Sequence, residues 1–227
     1  MILFIGDLDC RYWLVNNIID AAEKRFKKDV TTVIQLGDFG LYKKPLKIWF
    51  NRPGSRPFKR PLNFIDGNHE DFLYFEILVQ SFNNHFTYLE RGSVNRLDGF
   101  NFLCLGGSSY MDPVNTPPGA VILDTDIEAC LAHNPEDVDI IITHDCPSGI
   151  GVPGTPGFEY CGPTGFENSR LIREKFSSKP WLFAHHHRFF EYTDSYGTYF
   201  GLPEAHNGFA VMDDPGKITL VEHRIKI

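Results

Sequence analysis

The sequence predicts a layered α/β domain, and three observations carry that prediction. Apolar runs of strand length recur along the chain, several of them end in a cluster of polar residues, and stretches with helical spacing fall between them. In order, Ile2–Ile5 is a short continuous apolar run, read as a buried strand, and ends in Gly6-Asp7. Leu14, Ile18, Ala22 and Phe26 recur every four residues and form one helical face. Thr32–Leu36 ends in Gly37-Asp38, and Leu62–Ile65 ends in Asp66-Gly67-Asn68-His69. Phe72, Phe75, Ile77 and Leu78 predict a helix after Glu70. Phe102–Leu105 runs into Gly106-Gly107, Val138–Thr143 into His144-Asp145, and Trp181–Ala184 into His185-His186-His187. Helices over Asp124–Leu131 and Glu167–Phe176 take Asp124 and Asn168 as caps. Beyond residue 190 the pattern is antiparallel, with Phe209–Met212, a turn at Asp213-Asp214-Pro215-Gly216, and Ile218–Val221.

The chain has 227 residues, 42% hydrophobic and 22% charged, which excludes disorder, a collagen-like fibre and a coiled coil. No repeat or linker interrupts it, so residues 1–227 are read as a single domain. No apolar run reaches the ~20 residues a membrane helix needs. Met1–Ile5 meets Gly6-Asp7 without a basic region or cleavage site, and the five cysteines are scattered with no C-x-x-C pair. Both features predict a cytoplasmic protein with reduced thiols.

The net charge of −7 argues against a protein that coats nucleic acid. One segment runs the other way: Lys43, Lys44, Lys47, Arg52, Arg56, Lys59 and Arg60 follow one another without an acidic residue. With Trp49, Phe50 and Phe58 among them, the segment reads as a stacking and phosphate-binding surface for a nucleotide or a nucleic-acid end. The competing reading is a solvated helix with Trp49 and Phe50 in the core. Lys43, Lys44 and Arg11 are the candidate substrate-binding cations. The Gly/Pro-rich stretch 147–165 is too long for a simple connector and reads as a functional loop, with Phe158 and Tyr160 available to wall a pocket or stack on a base.

Ligands of open α/β sheets bind beyond the carboxyl ends of the strands. Asp7, Asp9, Asp38, Asn68, His69, His144, His185 and His187 all fall there. Each alone reads as a turn or a surface histidine. Together, carboxylates mixed with imidazoles suit Mn, Fe, Zn, Ni or Co. Two such ions ~3.5–4 Å apart are a recurrent device for phosphoester hydrolysis.

The strings Gly6-Asp7-Leu8-Asp9, Gly37-Asp38-Phe39-Gly40, Gly67-Asn68-His69-Glu70, Thr143-His144-Asp145 and Ala184-His185-His186-His187 resemble, in this order, the blocks of the calcineurin-like metallophosphoesterases. The resemblance implies a four-layer αββα sandwich, mixed sheets with helices on both outer faces, and two divalent metal ions. Mn²⁺ is the first expectation, with Fe, Zn, Ni or Mg as alternatives. One metal would be held by Asp7, Asp9, Asp38 and His187, the other by Asp38, Asn68, His144 and His185, with Asp38 shared. His69 would act on the scissile phosphate as general acid or charge stabiliser, oriented by Glu70 or another carboxylate.

Two departures stand out. Asp9 occupies a position where the family has histidine, and Ala184 one where it has glycine. Asp9 is read as a ligand because an i, i+2 spacing in an extended segment aims Asp7 and Asp9 at one face. Its alternatives are a pair with Arg11 or a cap on the next helix. The same alternation turns His186 away from the metals. His85, His133, His206 and His223 match no motif, although His206 stands where the C-terminal part could reach the site. The arginines of phosphoprotein phosphatases are missing.

The expected function is hydrolysis of a phosphodiester or phosphomonoester by metal-activated water, with a nucleotide or short single-stranded nucleic acid among the substrates. No membrane and no obligatory protein partner is inferred. The alternatives are a catalytically weak metal- or phosphate-binding scaffold of the same fold, or a small nuclease.

Overall fold

The computed structural model describes residues 1–51, 57–214 and 216–226. Arg52 and Arg56 of the basic segment, and Pro215 of the hairpin turn, lie outside the described residues. The elements run β1 (Ile2–Ile5), α1 (Trp13–Phe26), β2 (Thr32–Leu36), α2 (Lys43–Asn51), β3 (Leu62–Ile65), α3 (Phe75–Ser81), β4 (Thr87–Tyr88), β5 (Val94–Leu97), β6 (Phe100–Leu105), α4 (Asp124–Leu131), β7 (Ile140–Thr143), α5 (Ser169–Lys175), β8 (Trp181–Phe183), β9 (Phe190–Thr193), β10 (Thr198–Gly201), β11 (Gly208–Asp214) and β12 (Lys217–Glu222). No described helix is long and apolar enough to cross a membrane.

Two six-stranded sheets form, ordered β12-β11-β1-β2-β3-β4 and β5-β6-β7-β8-β10-β9. Strand alternation builds the layers. In β1, Ile2 and Phe4 point between the sheets while Leu3 and Ile5 meet Ile18 and Ile19 of α1. In β7, Ile140 and Ile142 join the same inter-sheet core, and Ile141 faces Ile127 of α4 and Ile172 of α5. Because both faces of each central strand are covered, these runs are apolar throughout rather than alternating. Fully burying one such side chain is worth ~1.5–3 kcal/mol. The result is the expected αββα sandwich with mixed sheets.

β1, β2 and β3 are mutually parallel, as are β6, β7 and β8. Their carboxyl ends bring the two sheets together at one edge. There the His144 ring, after β7, occupies the space a side chain at Gly37 would need, and Gly37 has φ +89°. Only glycine fits that turn after β2.

Several boundaries differ from the sequence reading. β6 starts two residues earlier, at Phe100, because Asp98 and Gly99 make a positive-φ turn that pairs it with β5. β7 starts at Ile140, since Pro135–Asp137 winds into a 3₁₀ turn. α3 begins only at Phe75 and leaves Ile77 exposed. Asn168 holds the N-cap position of α5 but makes no capping hydrogen bond there, whereas Leu123, not Asp124, holds that of α4, where Asp126 Oδ2 accepts the Leu123 N–H at 2.9 Å. Asn168 instead donates its amide to Asp124 Oδ1 at 3.0 Å. The C-terminal hairpin of β11 and β12 forms as expected, but β10 runs parallel to β8.

Candidate metal centre

At the joined edge, His144 is fully buried. Its Nδ1 lies 2.7 Å from the Leu36 carbonyl, an atom that can only accept, so Nδ1 carries the proton. In the neutral ring Nε2 is then a lone pair. It points at two further acceptors, Asn68 Oδ1 at 3.0 Å and Asp38 Oδ1 at 3.5 Å. The Asn68 amide cannot turn its donor inward, because Nδ2 donates to the Asn115 carbonyl at 2.8 Å. Ligand atoms of Asp38, His144 and His185 all lie within 4.8 Å of one another. Burial pushes His185 down to about 3, leaving a neutral imidazole. Burial would raise the Asp38 carboxyl, but positive charge on the facing histidines, His144 first, together with the His69 N–H brings it below the usual carboxylate range.

Beside this trio, Asp7 is fully buried, and among the described residues neither of its carboxylate oxygens has a hydrogen-bond partner. Burial and the Asp38 charge push its carboxyl well above the usual range. An orphaned buried carboxylate is costly unless a cation accompanies it. The donor set fits metal: His144 Nε2, Asn68 Oδ1, Asp38 and Asp7 converge, and a divalent ion would take the place of any proton on His144 Nε2. His187 Nε2 is 3.8 Å from Asp7 Oδ1.

The family model for calcineurin-like phosphoesterases matches residues 1–221. The chain belongs to that family. Calcineurin-like phosphoesterases depend on a binuclear metal centre, and the acceptor cluster stands where these strand-end blocks meet. Among solved structures, one shares 13% identity at a TM-score of 0.66, over 97% of this chain and 98% of its own. TT1561 of Thermus thermophilus shares 10% at 0.61, over 97% of both chains. The phosphopantetheinyl hydrolase PptH of Mycobacterium tuberculosis shares 10% at 0.55, covering 90% of this chain and 89% of that one. At such identities the likeness is one of fold. No curated protein matches the chain significantly.

For this calcineurin-like chain the geometry also revises particular readings. Asp9 has φ +47°, so extended alternation does not aim it. Instead the Leu8 and Asp9 N–H groups both donate to the Asp38 carbonyl, and that turn brings the Asp9 carboxylate to 3.8 Å from Arg11 Nη2. Burial and Asp38 raise the Asp9 carboxyl, against the pull of Arg11 and His187. His185 and His187 are left-handed too. Between them, His186 is set by a hydrogen bond from Nε2 to Asp145 Oδ1 at 3.0 Å, not by alternation.

Glu70 does not orient His69. It is buried, and its two carboxylate oxygens accept the backbone N–H groups of Phe39, at 2.8 Å, and of Leu41. It braces the loop that carries Asp38. His69 is exposed and lines the cavity, its own N–H fixed on Asp38 Oδ1 at 2.8 Å. Lys43 and Lys44 are exposed at the start of α2 and stay out of the cavity lining. Farther along α2, Trp49 and Phe50 pack against the core, as does Phe58, and Phe50 stacks on His85 at 4.0 Å. Arg11 faces Glu204 at 3.6 Å and His206 Nδ1 at 3.3 Å.

Glu204 went unnoticed in the sequence. Its charge acts on both Asp7 and His187. It follows the carboxyl end of β10, the strand-end position that singled out the other site residues. The antiparallel reading of the C-terminal part hid it.

Proposed function

We propose that the chain hydrolyses a phosphodiester or phosphomonoester at this centre. The observation that carries the proposal is the convergence of His144 Nε2, Asn68 Oδ1 and Asp38 Oδ1 beside the buried Asp7 carboxylate. Divalent ions bound there would neutralise the phosphate and make water more acidic. Asp7, Asp9, Asp38 and His187 would hold one ion, and Asp38, Asn68, His144 and His185 the other. With three carboxylates in the first set and Glu204 nearby, hard ions such as Mn²⁺ are preferred over Zn²⁺. His69 is the chain's own catalytic group. Its backbone N–H donates to Asp38 Oδ1 and the residue lines the cavity, which supports a role at a phosphate oxygen or leaving group. Activity in the cytoplasm belongs to the same proposal, supported by five free cysteines.

The test is hydrolysis of simple aryl phosphomonoesters and phosphodiesters by Mn²⁺-loaded protein, with and without chelator. His69→Ala should lose ~10²–10⁴-fold in turnover and keep its metal. Wild-type protein that holds metal and hydrolyses neither ester class would support the scaffold reading instead.

A further inference from the structure

The acceptor cluster opens into a cavity of about 760 Å³, its mouth to solvent included. Its lining includes Asp38, Asn68, His69 and His185 of the cluster, and with them Met111, Phe158 and Pro163. Among the described residues no lysine or arginine lines it. We propose that the wall of Met111, Phe158 and Pro163 seats the organic group of the substrate, and that it selects esters whose organic group is flat and uncharged. This deepens the phosphoesterase reading and rests on it.

Three features support the assignment. Phe158 keeps 37% of its surface exposed although its loop is ordered by defined contacts. Its N–H donates to the Thr155 carbonyl at 3.0 Å, and its ring stacks on Tyr160 at 5.9 Å. An aromatic face left open on a cavity wall is a stacking surface for another ring.

The wall is also tied to the metal side. The Tyr160 hydroxyl donates to Asp112 Oδ2 at 3.0 Å. Asp112 in turn accepts the Asn115 N–H at 2.9 Å and the Asn115 amide at 2.6 Å. The Asn115 carbonyl is the atom that fixes the Asn68 amide. One polar chain therefore sets the spacing between the wall and a metal-side group.

Charge completes the argument. Asp38 is the one carboxylate among the described lining residues, and a second anionic group on the substrate would find no fixed cation there, only neutral groups such as Ser109, Thr155 and Thr164. Long or multiply phosphorylated substrates are disfavoured for that reason.

Calorimetric titration of Mn²⁺-equilibrated protein with three phosphonates tests this. The probes are phenylphosphonate, methylphosphonate and 4-phosphonobenzoate, the last being the same ring with an added carboxylate. Phenylphosphonate should bind about tenfold more tightly than methylphosphonate, the scale expected for burying a ring. It should also bind more tightly than 4-phosphonobenzoate. Phe158→Ala should abolish the phenyl advantage, and Phe158→Leu should retain part of it. Equal binding of phenyl- and methylphosphonate, no binding of either, or tighter binding of the carboxylated ring overturns the assignment. Hydrolysis of phenyl phosphate, measured in parallel, separates the two levels. Turnover without a phenyl preference removes the wall and leaves the phosphoesterase. A phenyl preference without turnover keeps the wall and removes the hydrolase.

Discussion

His144 Nε2 and Asn68 Oδ1 face each other across 3.0 Å, two lone-pair atoms whenever the ring is neutral. Each is committed by its other end, the imidazole to the Leu36 carbonyl and the amide to the Asn115 carbonyl. Two sheets had to meet for this to happen, since Leu36 ends β2 and His144 follows β7. A cation gives both lone pairs a partner at once.

Asn68→Leu keeps the volume close and removes the facing oxygen. Mn²⁺ affinity should fall by about 10–100-fold, the range seen when groups around a metal are removed. Calorimetric Mn²⁺ titration of wild type and variant reads it. Unchanged affinity would take Asn68 out of the metal site.

Glu70→Gln replaces two acceptor oxygens with one and sets an NH₂ against a backbone N–H. Leaving that buried donor unsatisfied should cost ~1–3 kcal/mol in urea unfolding of the metal-free protein. A variant as stable as wild type would mean that Glu70 does not brace the Asp38 loop.

His85 lies against Phe50, and burial lowers its pKa from the ordinary 6.5. As pH falls below 6.5, the unfolded chain takes up a proton that the folded chain resists. Stability is therefore lost below pH 6.5 and levels off once the folded form also protonates. His85→Phe should have a smaller drop in urea midpoint between pH 7.5 and 5.5 than wild type. Identical drops would show that His85 does not contribute.

Much of this was legible locally. β1, β2 and β3 fall on the ranges the apolar runs mark, because a short buried strand needs only its own apolar residues, and α4 falls on the range read as helical. The strand-end residues meet because parallel strands share an edge, which requires no knowledge of distant pairing. What stayed hidden depends on contacts far along the chain. Glu204 belongs to the site environment only because β10 pairs in parallel with β8. Glu70 bonds amides 29 and 31 residues away, so its neighbour His69 was a misleading guide. Alternation misjudged how Asp9 and His186 are positioned because Asp9, His185 and His187 are left-handed, a conformation that non-glycine residues seldom adopt and that local pattern does not reveal.

We propose that Asp7, Asp9, Asp38, Asn68, His144, His185 and His187 together hold two metal ions. Metal content per chain, measured after reconstitution with excess Mn²⁺ and removal of free ion, tests it most directly. Two ions per chain are expected in wild type, and loss of at least one in His144→Ala. One ion or none in wild type would contradict it.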